Sequence, residues 1–84
     1  MGEVADRIEQ SILQSMLSGD LGPGAKLPSE RQLAAEHAAS RTTVRFVLVK
    51  LSAQGLIEPQ HGRGYFVRAS PAAVKRAQKA SERK

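Results

Sequence analysis

The chain has 84 residues, a formal net charge of +5 and no cysteine, with 40% hydrophobic and 25% charged residues. A chain of this length forms one domain that buries roughly 60% of its unfolded surface, and the absence of cysteine excludes disulfides and thiolate metal sites. Since no apolar run approaches the length of a membrane span and no signal-peptide pattern follows Met1, we expect a cytoplasmic protein.

The first predicted element is an amphipathic helix. Its apolar face recurs at helical spacing and consists of Val4, Ile8, Ile12, Leu13, Met16 and Leu17. Gly19 is placed to end this helix in a left-handed conformation. A turn at Gly22-Pro23-Gly24 and a short strand at Lys26-Leu27 are predicted to follow.

Two further helices are predicted next. Ser29 opens a short helix in which Gln32 completes a capping box and Leu33 is buried. Ser40 caps a third helix that runs to about Gln54. Its core face follows the i, i+3, i+4, i+7 pattern and consists of Val44, Val47, Leu48 and Leu51. On the opposite, outer face lie Thr42, Phe46 and Val49, flanked by Arg41 and Arg45 on one side and by Thr43 and Lys50 on the other.

A small hairpin completes the predicted fold. Residues 56–58 and 65–68 are strand-like, and Gly62 and Gly64 between them permit positive φ angles and a close approach to another molecule. Pro59 restricts its strand to an edge, and Phe66 is expected to alternate inward. The predicted fold class is therefore mostly α with a small β-hairpin, a winged helix-turn-helix of three helices plus a two- to three-stranded antiparallel wing.

Positive charge is concentrated after residue 28. Residues 1–28 carry two basic and four acidic side chains, residues 29–69 six basic and three acidic, and residues 70–84 five basic and one acidic. Such an excess serves solubility in some proteins and attracts a polyanion in others.

The start of the third helix carries residue types that suit DNA. Arg41 and Arg45 share one helix face, where like charges repel each other in isolation, and hydroxyls beside them can meet phosphates and base edges. The alternative for both arginines is a solvated helix face. Arg31, at the start of the second helix, could instead pair with Glu30 or Glu36, and His61 could be an ordinary exposed histidine.

Over residues 4–69 the sequence resembles the N-terminal winged-helix domain of the GntR family of bacterial transcription regulators. The matching segments are Gly24-Ala25-Lys26-Leu27-Pro28-Ser29-Glu30-Arg31, Leu33-Ala34, Ser40-Arg41-Thr42-Thr43-Val44-Arg45, Leu51, Gly55-Leu56-Ile57, Gly62-Arg63-Gly64 and Phe66-Val67. Two segments depart from the family pattern: His37-Ala38-Ala39 replaces an apolar residue, glycine and valine, and Phe46-Val47 replaces an acidic residue and alanine.

The resemblance implies a DNA-binding domain at 1–69 and a basic linker or tail at 70–84. Helix 40–54 would enter the major groove of a short inverted-repeat operator in double-stranded DNA, the wing at 60–65 would reach the minor groove, and a second copy would bind the other half-site. The DNA-binding residues would be Arg31, Ser40, Arg41, Thr42, Thr43, Arg45, His61, Gly62, Arg63 and Gly64. A small-molecule effector would act only through a domain outside these residues, as in a metabolite-responsive repressor.

Two other functions are weighed against DNA binding. An enzyme is disfavoured, because the chain has two histidines, no cysteine, no phosphate loop and no sheltered carboxylate pair; we expect no cofactor or metal site and no membrane partner. A winged helix can also be a protein–protein interaction module without sequence-specific DNA reading. An acidic or apolar face would be expected in that case where Arg41 and Arg45 lie.

Overall fold

The computed structural model describes residues 2–68 and 73–76. Three helices precede a hairpin, in the order α1 (Glu3–Ser18), α2 (Glu30–His37), α3 (Arg41–Ala53), β1 (Ile57–Gln60) and β2 (Gly64–Val67). Residues 73–76 are helical as well. This arrangement confirms the predicted winged helix-turn-helix. Within the described ranges, no helix combines the length and the apolar character needed to cross a bilayer.

The predicted helix ends are confirmed. The Ser29 hydroxyl accepts a hydrogen bond from the Gln32 amide at 3.1 Å, and the Gln32 side chain accepts one from the Ser29 amide at 2.9 Å, which completes the capping box. Gly19 follows α1 with a φ of 94°, the left-handed conformation that lets the chain leave a helix without a Cβ clash. These caps determine where α1 ends and where α2 begins.

The wing has three strand segments. β1 and β2 pair antiparallel, with Ile57 opposite Val67 and Gln60 opposite Gly64. Lys26 bridges Phe66 on the other edge of β2. The predicted short strand at Lys26-Leu27 is therefore present as a single bridge, and β1, which contains Pro59, is an edge strand as expected.

One predicted orientation in the wing is wrong. Tyr65 and Val67 face the core, whereas Phe66, expected to point inward, is half-buried and lies outside the core cluster. Because side chains alternate along a strand, the pairing of Val67 with buried Ile57 turns Phe66 to the opposite face.

The core lies between the three helices and the wing. Each helix contributes buried side chains, among them Ile8, Leu33, Leu48 and Leu51. Val74 of the helical turn at 73–76 is also buried, at 1% exposure. Most of the expected tail at 70–84 lies outside the described residues, so the boundary at residue 69 stays a prediction; Val74 nevertheless belongs to the core.

Ala38 ends α2 in a conformation that alanine disfavours. Its φ of 51° and ψ of 44° place it in the left-handed region, and it is the one non-glycine residue with positive φ in the described part of the chain. Its amide bonds back to the Ala35 carbonyl at 3.4 Å. The tight turn between α2 and α3 thus forms without the glycine usual in the related family, at the expense of backbone strain.

Candidate nucleic-acid interface

The first turn of α3 is capped by residues that were predicted to contact DNA. The Ser40 hydroxyl accepts a hydrogen bond from the Thr43 amide at 3.1 Å and lies 3.0 Å from the Thr43 hydroxyl. Ser40 and Thr43 therefore stabilise the helix start whether or not DNA is present. Thr42, between them, is exposed.

Arg41 and Arg45 are joined by a carboxylate that the sequence pattern linked to neither of them. Nη2 of Arg41 lies 3.3 Å from Oε1 of Glu30, at the start of α2. Arg45 donates two hydrogen bonds to the same carboxylate, from Nε to Oε2 at 2.9 Å and from Nη2 to Oε1 at 3.1 Å. The two arginine side chains are still 65% and 60% exposed, whereas that of Glu30 is 20% exposed.

This arrangement has an electrostatic consequence. Hydrogen bonding from Arg45 is the main reason that the pKa of Glu30 lies below its ordinary value of 4.5, with Arg41 acting in the same direction. The pKa of Arg45 is raised in turn by Glu30, and Tyr65 of β2 adds a smaller contribution. Glu30 thus offsets the repulsion expected between the two arginines and aligns them along one side of α3.

Arg31 does not form an ion pair with Glu30, one of the alternatives to a DNA contact that were considered for it. Glu30 binds Arg41 and Arg45 instead, and Arg31 is exposed one residue further along α2. Its side chain therefore lies on the surface at the start of α2, where contact with a phosphate stays a prediction.

The wing tip consists of the four residues predicted for it. His61, Gly62, Arg63 and Gly64 are all exposed. The Arg63 amide donates to the Gln60 carbonyl at 2.8 Å, which closes a turn with Gly62 at a φ of 74°. Positive φ at this position favours glycine, so Gly62 is needed for the turn as predicted.

Two lysines take positions that sequence patterns did not reveal. Lys26 lies beside the wing, where a Cβ added at Gly64 would be 3.4 Å from Cε of the lysine, so a further cation borders the wing tip. Lys50, in the second half of α3, forms an ion pair with Glu9 of α1, with 3.0 Å between Nζ and Oε1. Neither relationship has a local sequence signal, because each joins distant segments.

Comparison with known proteins agrees with this geometry. Residues 4–67 match the family model described as bacterial regulatory proteins, gntR family. An HTH-type transcriptional regulator of Mycobacterium tuberculosis is 43% identical over 65 residues, which are 77% of this chain and 27% of that protein. The chain spans about a quarter of the length of the curated relatives that it matches.

Solved structures give the same result. A GntR family transcriptional regulator from Listeria monocytogenes superposes with a TM-score of 0.81 at 20% identity, over 95% of this chain and 70% of that one, which establishes the fold. The DNA-binding domain of AraR, solved in complex with an operator, has a TM-score of 0.74 at 30% identity, over 80% of this chain and 81% of that domain. Together with the capped α3, its exposed arginine pair and the glycine wing, these matches show that the chain belongs to the gntR family of bacterial regulatory proteins.

Proposed function

We propose that this chain is the operator-binding domain of a bacterial transcription regulator and reads double-stranded DNA in a sequence-specific way. The observation that carries the proposal is the exposed arginine pair at the start of α3, aligned by Glu30. The matched domain of AraR was solved on an operator, which supports the same use of this fold here.

The geometry suits insertion of α3 into the major groove. An α-helix with its side chains is about 10–12 Å wide and the groove about 12 Å, so the first turns of α3 can reach base edges. Arg45 uses Nε and Nη2 on Glu30 and keeps Nη1 for a base or a phosphate. The wing tip, with Arg63 and His61, would lie along the neighbouring minor groove.

Two copies of the chain would occupy an inverted repeat. Two-fold symmetric operators place identical half-sites about one helical turn apart, so each half can receive one α3. The curated relatives are about four times as long as the matched region. We propose that a small-molecule effector acts through such an additional region, and that the complete protein is a repressor.

The test is selection of bound duplexes from a random pool, followed by affinity measurements on the selected sequence. Arg41→Ala and Arg45→Ala should be compared on selected and scrambled duplexes. A base-reading arginine contributes about 1–3 kcal/mol of discrimination, whereas a phosphate contact weakens all duplexes alike. We expect at least one variant to lose preference at a particular base pair, and log K to fall with log salt by about 0.9 per phosphate contact.

The protein-interaction module is the less favoured function. Such a module would need an acidic or apolar face at the position of Arg41 and Arg45, and this face of α3 is basic. Failure of the selection to enrich any sequence, together with a salt slope near zero, would remove the proposal.

A further inference from the structure

An apolar stripe runs along the outer surface of α3. Phe46 is 44% exposed and Val49 54% exposed, and in the described part of the chain these are the two exposed large hydrophobic residues. Thr42, also exposed, lies one turn before Phe46. The spacing i, i+4, i+7 places all three on one helix face.

This stripe lies on the side of α3 opposite the core. Val44, Val47, Leu48 and Leu51 on the opposite face are no more than 1% exposed. Arg45, next to Phe46 in the chain, is drawn towards α2 by its two hydrogen bonds to Glu30. The cations therefore border the aromatic ring on the α2 side, and the ring itself faces outward.

We propose that Phe46 determines operator specificity by contact with the C5 methyl group of a thymine in the major groove, an inference that rests on the proposed function. If the start of α3 enters the groove, the side chains on its outer face, Phe46 among them, meet base edges. Thymine carries a methyl group at C5 there, whereas cytosine carries only a hydrogen atom at that position. The methyl group gives the ring an apolar contact that cytosine cannot offer, so the ring favours thymine.

The size of the stripe argues against a protein partner on this face. A phenylalanine side chain offers roughly 150–250 Å² when fully buried, and Phe46 exposes less than half of itself. A stable protein interface needs about 800 Å² on each side. Two partly exposed side chains bordered by Arg41 and Arg45 fall well short of that area, but they match the size of one or two thymine methyl groups beside phosphates.

The experiment uses the duplex that the wild-type chain selects from a random pool. Each thymine is replaced in turn by deoxyuridine, which keeps the base pairing and removes only the methyl group. At one thymine in each half-site we expect about fourfold weaker binding by the wild type, the change that loss of one buried methylene-sized group predicts. Phe46→Ala should bind the thymine and deoxyuridine duplexes equally.

A second substitution tests the same contact from the other direction. With cytosine at the sensitive position, the wild type should bind more tightly when that base is 5-methylcytosine, and Phe46→Ala should not distinguish the two. Val49→Ala is the matched control, because it removes an exposed apolar group on the same face and should keep the sensitivity to deoxyuridine. Unchanged thermal unfolding of Phe46→Ala confirms that the variant is folded.

Several outcomes would overturn the inference. If the wild type prefers its selected duplex but its affinity is unchanged by every deoxyuridine, operator binding stands and the methyl contact is refuted. Equal deoxyuridine sensitivity in the wild type and Phe46→Ala assigns the methyl to another residue. Weaker self-association of Phe46→Ala with unaltered deoxyuridine sensitivity assigns the ring to a protein contact. If no duplex is preferred at all, the proposed function itself fails.

Discussion

Lys50 of α3 is bound to Glu9 of α1 across the boundary of the core. The lysine Nζ lies 3.0 Å from Oε1 of Glu9, and the Glu9 side chain is 4% exposed while that of Lys50 is 42% exposed. A buried carboxylate depends on nearby hydrogen-bond donors and cations for its stability. Lys50 flanks the outer face of α3, as its position in the sequence predicts, and it also joins two helices.

Lys50→Ala should therefore destabilise the fold. Removal of the ammonium takes a charge-assisted bond from a buried carboxylate, at a cost of about 1–3 kcal/mol, which corresponds to at least about 4 °C in Tm for a domain of this size. Thermal unfolding measures the effect. In a Glu9→Gln background the same substitution should cost clearly less, because no buried charge is left behind. Equal costs in the two backgrounds would show that Lys50 acts through something other than this pair.

Glu30→Gln should lower stability in a pH-dependent way. The pKa of Glu30 is depressed in the folded protein, mainly by hydrogen bonding from Arg45. The contribution of this carboxylate is therefore fully present above its unfolded pKa of about 4.5 and is lost as the pH falls through the lower folded value. We expect the free energy of unfolding of the wild type to exceed that of Glu30→Gln by less than about 1 kcal/mol at neutral pH, since the arginines are largely exposed.

Denaturant unfolding from pH 7 into the acid range measures this difference. The gap between wild type and Glu30→Gln should close as the pH drops below 4.5. It should also be small throughout in a background that carries both Arg41→Ala and Arg45→Ala, because the bonds that depress the pKa are then absent. A gap that stays constant with pH would contradict the assignment.

Ala38→Gly should stabilise the protein. The left-handed conformation of Ala38 costs about 1–2 kcal/mol for a residue with a Cβ, and the extra entropy of glycine in the unfolded chain offsets roughly 0.5–1 kcal/mol of the relief. The net gain of up to about 1.5 kcal/mol should raise Tm. Ala39→Gly is the control, because its φ is not positive and it should only destabilise. A lower Tm for Ala38→Gly would show that the turn is not strained.

Arg63→Ala should weaken DNA binding without affecting the fold. Arg63 is exposed at the wing tip, and its backbone amide, which any residue keeps, closes the turn. Loss of a charge-assisted bond to DNA should reduce affinity by about 1 kcal/mol or more, with Tm nearly unchanged. Both quantities should be measured on one sample. Unchanged affinity would make the wing a structural hairpin, and a large fall in Tm would assign Arg63 to the fold.

Much of the fold follows from short-range patterns in this sequence. The caps at Ser29 and Ser40 join residues three positions apart, and the apolar positions of α1 and α3 repeat at helical spacing. Hydroxyls next to a helix start, glycine after a helix end and glycines in a tight turn each act through contacts within four residues. Such contacts depend on spacing alone, so the helices, the wing and the exposed arginines could be predicted directly.

The tertiary structure determined which charged side chains pair with each other. Glu30 binds arginines 11 and 15 positions away, and Glu9 binds a lysine 41 positions away. Composition allows several partners for each carboxylate, and only the packing of α1 and α2 against α3 brings these atoms within 3.5 Å. The inward face of β2 was likewise set by register against β1, because pairing one residue along would have buried Phe66 in place of Val67.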